Sequence, residues 1–244
     1  LALELKALLE QEITVEGNLE VVLTDDFERG LSETIHTLID QKTGEKFDLY
    51  LRDKTPKFVT GTHLRVKGVR LDNKIVAAST EVLSQSNVEI VALATTTPIV
   101  KKVAVILFNF QNDVRIPWTP NSVRSTIFTG SNSVKSYYQE TSFGPITLEG
   151  KTRSDGDIYG WYTIPYPNTT CDYRTLASAA RNAATADGFS ITGYNNVLYA
   201  FPRTTTCYTW AGIGELSGDE IWVNGYMDLI TVAHELGHNY GVHH

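Results

Sequence analysis

Methionine and cysteine are nearly missing from these 244 residues: there is one Met, Met227, and two Cys, Cys171 and Cys207. So few thiols exclude a disulfide-dense scaffold and a four-cysteine metal site, and they leave room for one intrachain bridge at most. Residues 1 to 170 carry no cysteine at all. Nor is there an apolar run near the ~18 residues of a membrane-spanning helix; the longest, residues 103–108, has the length of a strand. Positive charge is also in short supply. The net charge is −7, and residues 1–90 contribute −5 of it, so neither half presents the basic face that nucleic acid requires.

What is present describes a folded chain. Apolar residues make up 42% and charged residues 20%, a balance that excludes a disordered protein. The length exceeds one average domain and predicts two. The opening residues LALELKALLEQE alternate charged and apolar side chains in helical period, which is not the pattern of a signal peptide. They imply that a targeting segment has already been removed or that the chain is a fragment.

One stretch dictates a particular chemistry: His234 to His244, HELGHNYGVHH. Four residues separate His234 from His238, so on a helix both imidazoles project from one face toward one point. That is half of a zinc site. His244 lies six residues further on, and a continuing helix would carry it roughly 9 Å along the axis at about 1.5 Å per residue. Gly241 resolves this, because glycine just past a helix end turns left-handed at little cost and lets the chain swing His244 back. Leu229, Val232, Leu236 and Tyr240 form an apolar stripe for the core, and Asp228 or Asn224 is placed to cap the helix start. His243, beside His244, reads as a partly exposed side chain near the site.

The motif resembles HExxHxxGxxH, the zinc signature of the metzincin metallopeptidases, which His234, Glu235, His238, Gly241 and His244 match in full. Five fixed positions coincide by chance on the order of once in ten million starting points. Together with CYTWAG upstream and the opening strand VAVILFNF, the stretch from about residue 101 to 244 looks most like the gametolysin family of secreted metallopeptidases. The resemblance implies zinc held by His234, His238 and His244, a water in the fourth position, and Glu235 as general base. It also implies a rim strand at residues 211–216, where Ala211, Gly212, Ile213 and Gly214 would bind an extended peptide by strand addition; an ordinary hairpin is the other reading of those residues. Metzincins carry a methionine turn beyond the third ligand. Met227 lies upstream, so the resemblance implies a catalytic domain truncated at its C-terminus.

Secretion would make a Cys171–Cys207 disulfide the simplest use of the two thiols, contributing about 3–4 kcal/mol by the loop-entropy model. Asn168-Thr169-Thr170 is a glycosylation sequon. The family resemblance further implies a latent precursor, with an N-terminal domain acting as an intramolecular inhibitor. A cysteine cannot reach the metal from residues 1–170, but an aspartate can substitute, as in astacin-like precursors; Asp25, Asp26 and Asp53 are the candidates.

Along the chain, residues 1–11 read as a short amphipathic helix. Five alternating, β-branched segments follow up to about Ser84 and predict a small barrel or sandwich; TGTHLRVKGVRLDNKIV resembles a strand-turn-strand of OB-fold barrels. Residues 85–101 have the weak periodicity of a linker. After it, VAVILFNF reads as a strand buried on both faces, and helices over 119–142, with a break at Gly130, and 172–187 alternate with further strands. The predicted fold is therefore α+β: an OB-like barrel over residues 1–90, a linker at 91–100, and a zincin-like domain over 101–244 with a mixed, largely parallel sheet. Glu215 with Asp219 and Glu220, and Asp155 with Asp157, read as solvated turns rather than calcium sites. The expected function is a secreted zinc-dependent endopeptidase acting on protein or peptide substrates. The rival is a protein- or carbohydrate-binding module with a structural or inactive zinc site.

Overall fold

From residue 11 to 84 the backbone forms five strands: β1 (Gln11–Asp26), β2 (Leu31–Asp40), β3 (Lys46–Tyr50), β4 (His63–Leu71) and β5 (Lys74–Ser84). The computed structural model describes residues 11–51, 58–85, 98–206 and 208–244. Nearly all of the expected first helix, Asp53, Cys207 and most of the expected linker lie outside them. Alternation decides which face of each strand turns inward: Leu19, Val21, Leu23, Leu38, Phe47, Leu64, Val66 and Ile75 are buried in one cluster. β1 pairs antiparallel with β2 and β4, β2 with β3, and β4 with β5, while β3 and β5 run parallel. The pairings therefore close a ring. At 16 residues, β1 is roughly three times the usual strand length, and the excess gives it a second task described below.

The remainder contains β6 (Ile99–Phe110), α1 (Pro120–Arg124) running into a π-helical turn (Ser125–Thr129), α2 (Val134–Thr141), β7 (Ile146–Glu149), β8 (Asp157–Ile164), α3 (Tyr173–Ala186), β9 (Asn196–Phe201), β10 (Gly212–Glu215), β11 (Glu220–Asn224) and α4 (Leu229–Asn239). The expected mixed, largely parallel sheet is present. β6 runs parallel to β7, β8 and β9, β9 runs parallel to β11, and only β10 is reversed.

The continuous apolar run of β6 is explained by what covers it. Ala104, Ile106, Phe108 and Phe110 pack with Leu176, Ala177 and Ala180 of α3, while Val103, Val105 and Leu107 pack with Val232, Ala233 and Leu236 of α4. Each such side chain contributes about 1.5–3 kcal/mol by leaving water. The sheet thus holds α3 on one face and α4 on the other, with β10 beside α4. Thr119 and Ser133 cap α1 and α2 with reciprocal hydrogen bonds, and Gly130 ends the π-helical turn, where the break was expected.

Of the two residues placed to cap α4, Asp228 does so, and the acidic clusters read as solvated turns are in part buried. Asn224 does not cap α4; it is buried, accepting from the Thr204 amide and donating to the carbonyls of Thr204 and Trp210. Glu215 and Asp157 are not solvated turn carboxylates either. Asp157 accepts from Thr152, Arg153 and Tyr194, and Glu215 accepts from the amides of Asp219 and Glu220.

Burial pushes the Glu215 carboxyl from 4.5 up to about 8, against the pull of the Asp219 amide, and the charge of Glu220 adds to the rise. Glu220 moves the same way, burial again leading. A raised carboxyl means that the folded state keeps protons which the unfolded state has released, so this stability is complete below about 4.5 and is lost as pH climbs through about 8. The thermal midpoint should accordingly fall between about pH 5 and about pH 9, and Glu215→Gln should flatten that fall. An unchanged slope in the variant would remove Glu215 as the source.

Candidate metal centre

Asp228 starts α4 by accepting from the Thr231 amide. At the other end Gly241 takes φ +86°, with the Gly241 amide on the His238 carbonyl (2.9 Å) and the Val242 amide on the Gly237 carbonyl (3.0 Å). This double bond pattern around a left-handed glycine ends the helix and reverses the chain. The reversal returns His244 to the helix. Ring centroids of His238 lie 4.7 Å from His234 and 4.8 Å from His244, and the Nε2 atoms of His234 and His244 are 3.2 Å apart.

A fourth donor arrives from far away in the chain. Asp25 Oδ2 lies 3.3 Å from Nε2 of both His234 and His238, and Asp25 Oδ1 lies 2.9 Å from Nε2 of His244. The four donor groups fall within 4.8 Å of one another. Donors placed tetrahedrally at 2.0–2.1 Å from an ion are separated from each other by about 3.3 Å, so these residues fit a small divalent metal. His238 Nδ1 donates to the Val242 carbonyl at 2.7 Å, which turns Nε2 toward the centre, as a metal ligand requires. Burial alone would raise the Asp25 carboxyl; hydrogen bonds from His234 and His238 and the charge of His244 overcome it and hold the group well below its ordinary value. Burial, reinforced by the two other histidines, lowers His244 against the opposing pull of Asp25.

The excess length of β1 places Asp25. Its last residues pair antiparallel with β10, Val22 with Glu215 through Asp25 with Gly212. Main-chain bonds run from the Ala211 amide to the Asp25 carbonyl and from the Leu216 amide to the Val21 carbonyl, each 2.8 Å. A strand does lie within residues 211–216, as β10, antiparallel to β11 as in the hairpin reading, and β1 lies along its other edge.

Glu235 faces this junction. It is fully buried, and neither carboxylate oxygen has a hydrogen-bond partner among the described residues. Burial first, then the neighbouring Asp25 charge, pushes its pKa well above the ordinary range. An orphaned buried acceptor is costly, and it is what a water molecule beside a metal ion would satisfy. Two glycines make the space: a Cβ on Gly212 would collide with the Glu235 carboxylate, and one on Gly214 with the Glu235 carbonyl.

Of the residues singled out in the sequence, His234, His238 and His244 converge, with Glu235, Gly212 and Gly214 packed against them. Ala211 supplies an amide to Asp25, while Ile213 points away into the cluster under α3. His243 is outside the group. Of the two candidate aspartates among the described residues, Asp25 is at the centre; Asp26 instead accepts from the Arg29 amide. Cys171 precedes α3, and no free cysteine stands among the described residues. Sequence reasoning missed Phe27, whose ring meets His234 edge-on at 5.1 Å, and the bond from Tyr226 to Glu28. No local pattern announces either.

Residues 102–244 match the family model described as Gametolysin peptidase M11. No curated protein matches the chain.

Because Gly212 and the Glu235 carboxylate cannot both keep their places once a methyl group is added, Gly212→Ala should lower stability by about 1–3 kcal/mol. Denaturant unfolding of the variant measures this, and a neutral result would show that the junction is looser than the geometry requires.

Proposed function

Because the chain belongs to the gametolysin peptidase family, we propose that it is a zinc-dependent endopeptidase held latent by its own N-terminal strands, with Asp25 as the residue that closes the metal. The observation that carries the reading is the meeting of His234, His238 and His244 with Asp25, their donor atoms all within 4.8 Å of one another. Zinc, when bound, lowers the pKa of water toward neutrality and polarises a carbonyl. The protein's own residues do the rest. Glu235 takes the proton of the attacking water and passes it to the leaving amine. Gly212 keeps the space that lets this carboxylate sit under the rim strand, and the backbone of β10 holds the extended substrate.

In the latent form β1 takes the substrate's course along β10, while the Asp25 carboxylate occupies the corner that water would need. The N-terminal strands up to Ser84 are then an inhibitory domain, the stretch between them and β6 is the linker whose cleavage releases it, and the part from Ile99 on, where β6 starts rather than at the expected 101, is catalytic. An OB-like nature for the first domain is supported by its closed circuit of five strands with β3 and β5 parallel. Secretion and a Cys171–Cys207 bridge complete the proposal. No helix among the described residues is long and apolar enough to cross a membrane, and the acidic balance offers nucleic acid no surface.

One observation favours the rival reading of a structural site: all four donors come from the protein, as structural zinc sites prefer. A buried, unpartnered Glu235 beside the metal has no purpose in such a site and costs stability there, so the peptidase is the better account.

In the uncut chain Asp25→Ala should keep one metal per molecule and raise cleavage of a protein substrate about tenfold or more, the scale of a lost charge-assisted contact. Metal analysis with a fluorescent casein assay decides it, and an inactive but metal-loaded variant contradicts latency through Asp25. A verified cut within residues 86–97 should raise activity in the same way. Glu235→Ala should retain the metal and lose cleavage in either background; substantial turnover there removes the general-base assignment.

A further inference from the structure

Arg174, in the first turn of α3, stands where β1 leaves the rim. Its guanidinium donates to Glu20 Oε1 at 2.6 Å and to Thr37 Oγ1 at 3.2 Å. It also lies over the ring of Tyr173, 4.6 Å from the centroid. Tyr173 is itself held edge-on against Trp210 and Trp222. The Glu20 and Arg174 side chains are largely withdrawn from water, at 12% and 21% exposure. Both acceptors of this guanidinium belong to the N-terminal strands, whereas the aromatic support belongs to the C-terminal part.

Alternation along β1 fixes which cleft wall each residue meets. Asp25 turns toward α4, opposite Gly212, while Leu23 and Val21 on the same side of the strand enter the core of the five-stranded ring. Thr24, Val22 and Glu20 turn toward α3, where Val22 joins the cluster containing Ile213 and Trp222. Glu20 is one residue past the last main-chain bond to the rim, that of Leu216 to Val21. An extended peptide that follows β1's course with a residue over the histidines thus brings its residue five places nearer the N-terminus to Arg174.

Once the N-terminal strands leave, the guanidinium keeps its aromatic platform and loses both acceptors. Neighbouring carboxylates are engaged elsewhere: Asp172 by the Arg174 amide and the Thr175 hydroxyl, Glu215 by the Asp219 and Glu220 amides, and Glu220 by Tyr199 and Arg181. A fixed, poorly hydrated guanidinium favours a carboxylate partner, bound through paired N–H groups. Resting on the peptidase reading above, we infer that Arg174 is a specificity-determining residue, which selects peptide substrates with Asp or Glu five residues N-terminal to the residue seated over the histidines. Glu20 occupies that subsite in the latent form.

The test uses the protein cut within residues 86–97 and a set of fluorogenic peptides in which one Glu, or Gln as its neutral control, is walked through the upstream positions. A single position, five or six residues before the cleaved bond, should show kcat/KM about tenfold higher for Glu than for Gln, carried by KM. Arg174→Gln should abolish that difference, and Arg174→Lys should restore part of it. A flat scan with active wild-type protein overturns the inference alone, independently of how the variants fold, and so does an upstream Glu preference that survives in Arg174→Gln. No cleavage of any peptide overturns the peptidase reading and the inference with it.

Discussion

A carboxylate from residue 25 set among three imidazoles from residues 234–244 is the interaction on which the rest of the structure depends. A buried charge of this kind costs several kcal/mol unless it is fully paired, and here each neighbour is an imidazole nitrogen within 3.3 Å. Keeping it in place requires the 16-residue β1, its antiparallel seat on β10, and two glycines that let β10 approach α4. It also requires the glycine turn that brings His244 back. Remove any of these and either the donors separate or Asp25 loses its partners.

The same seat serves two purposes. A strand on an exposed sheet edge satisfies main-chain groups that would otherwise need water, so β1 is held by the features a substrate would use, while its side chains read both cleft walls. On the proposed function, latency and recognition would share one surface, and release of the N-terminal strands would uncover the edge, the metal corner and Arg174 together.

How much of this was legible in the sequence depended on range. His234, Glu235, His238, Gly241 and His244 lie within eleven residues, where helix geometry and one glycine suffice to bring side chains together. The β6 run and the alternation of β1 to β5 were readable for the same reason. The meeting of Asp25 with His238 spans 213 positions, and no spacing rule reaches so far: chemistry could nominate Asp25, Asp26 and Asp53, but only the pairing of β1 with β10 separates Asp25 from Asp26. Residue type also misled. Glu215 and Asp157 looked like solvated turn groups, yet neighbouring donors, backbone amides among them, make buried positions tolerable for them. The Gly212 and Gly214 pair was read for its backbone alone, whereas the missing side chains matter as much, because Glu235 fills their space.

The most direct measurement is a crystal structure of the zinc-loaded, uncut chain with anomalous data at the zinc edge. The account predicts one zinc ion bound by Nε2 of His234, His238 and His244 and by a carboxylate oxygen of Asp25, with Glu235 close by and unbound. A zinc ion held by the histidines and water while Asp25 points elsewhere, or a metal bound away from these residues, would contradict it.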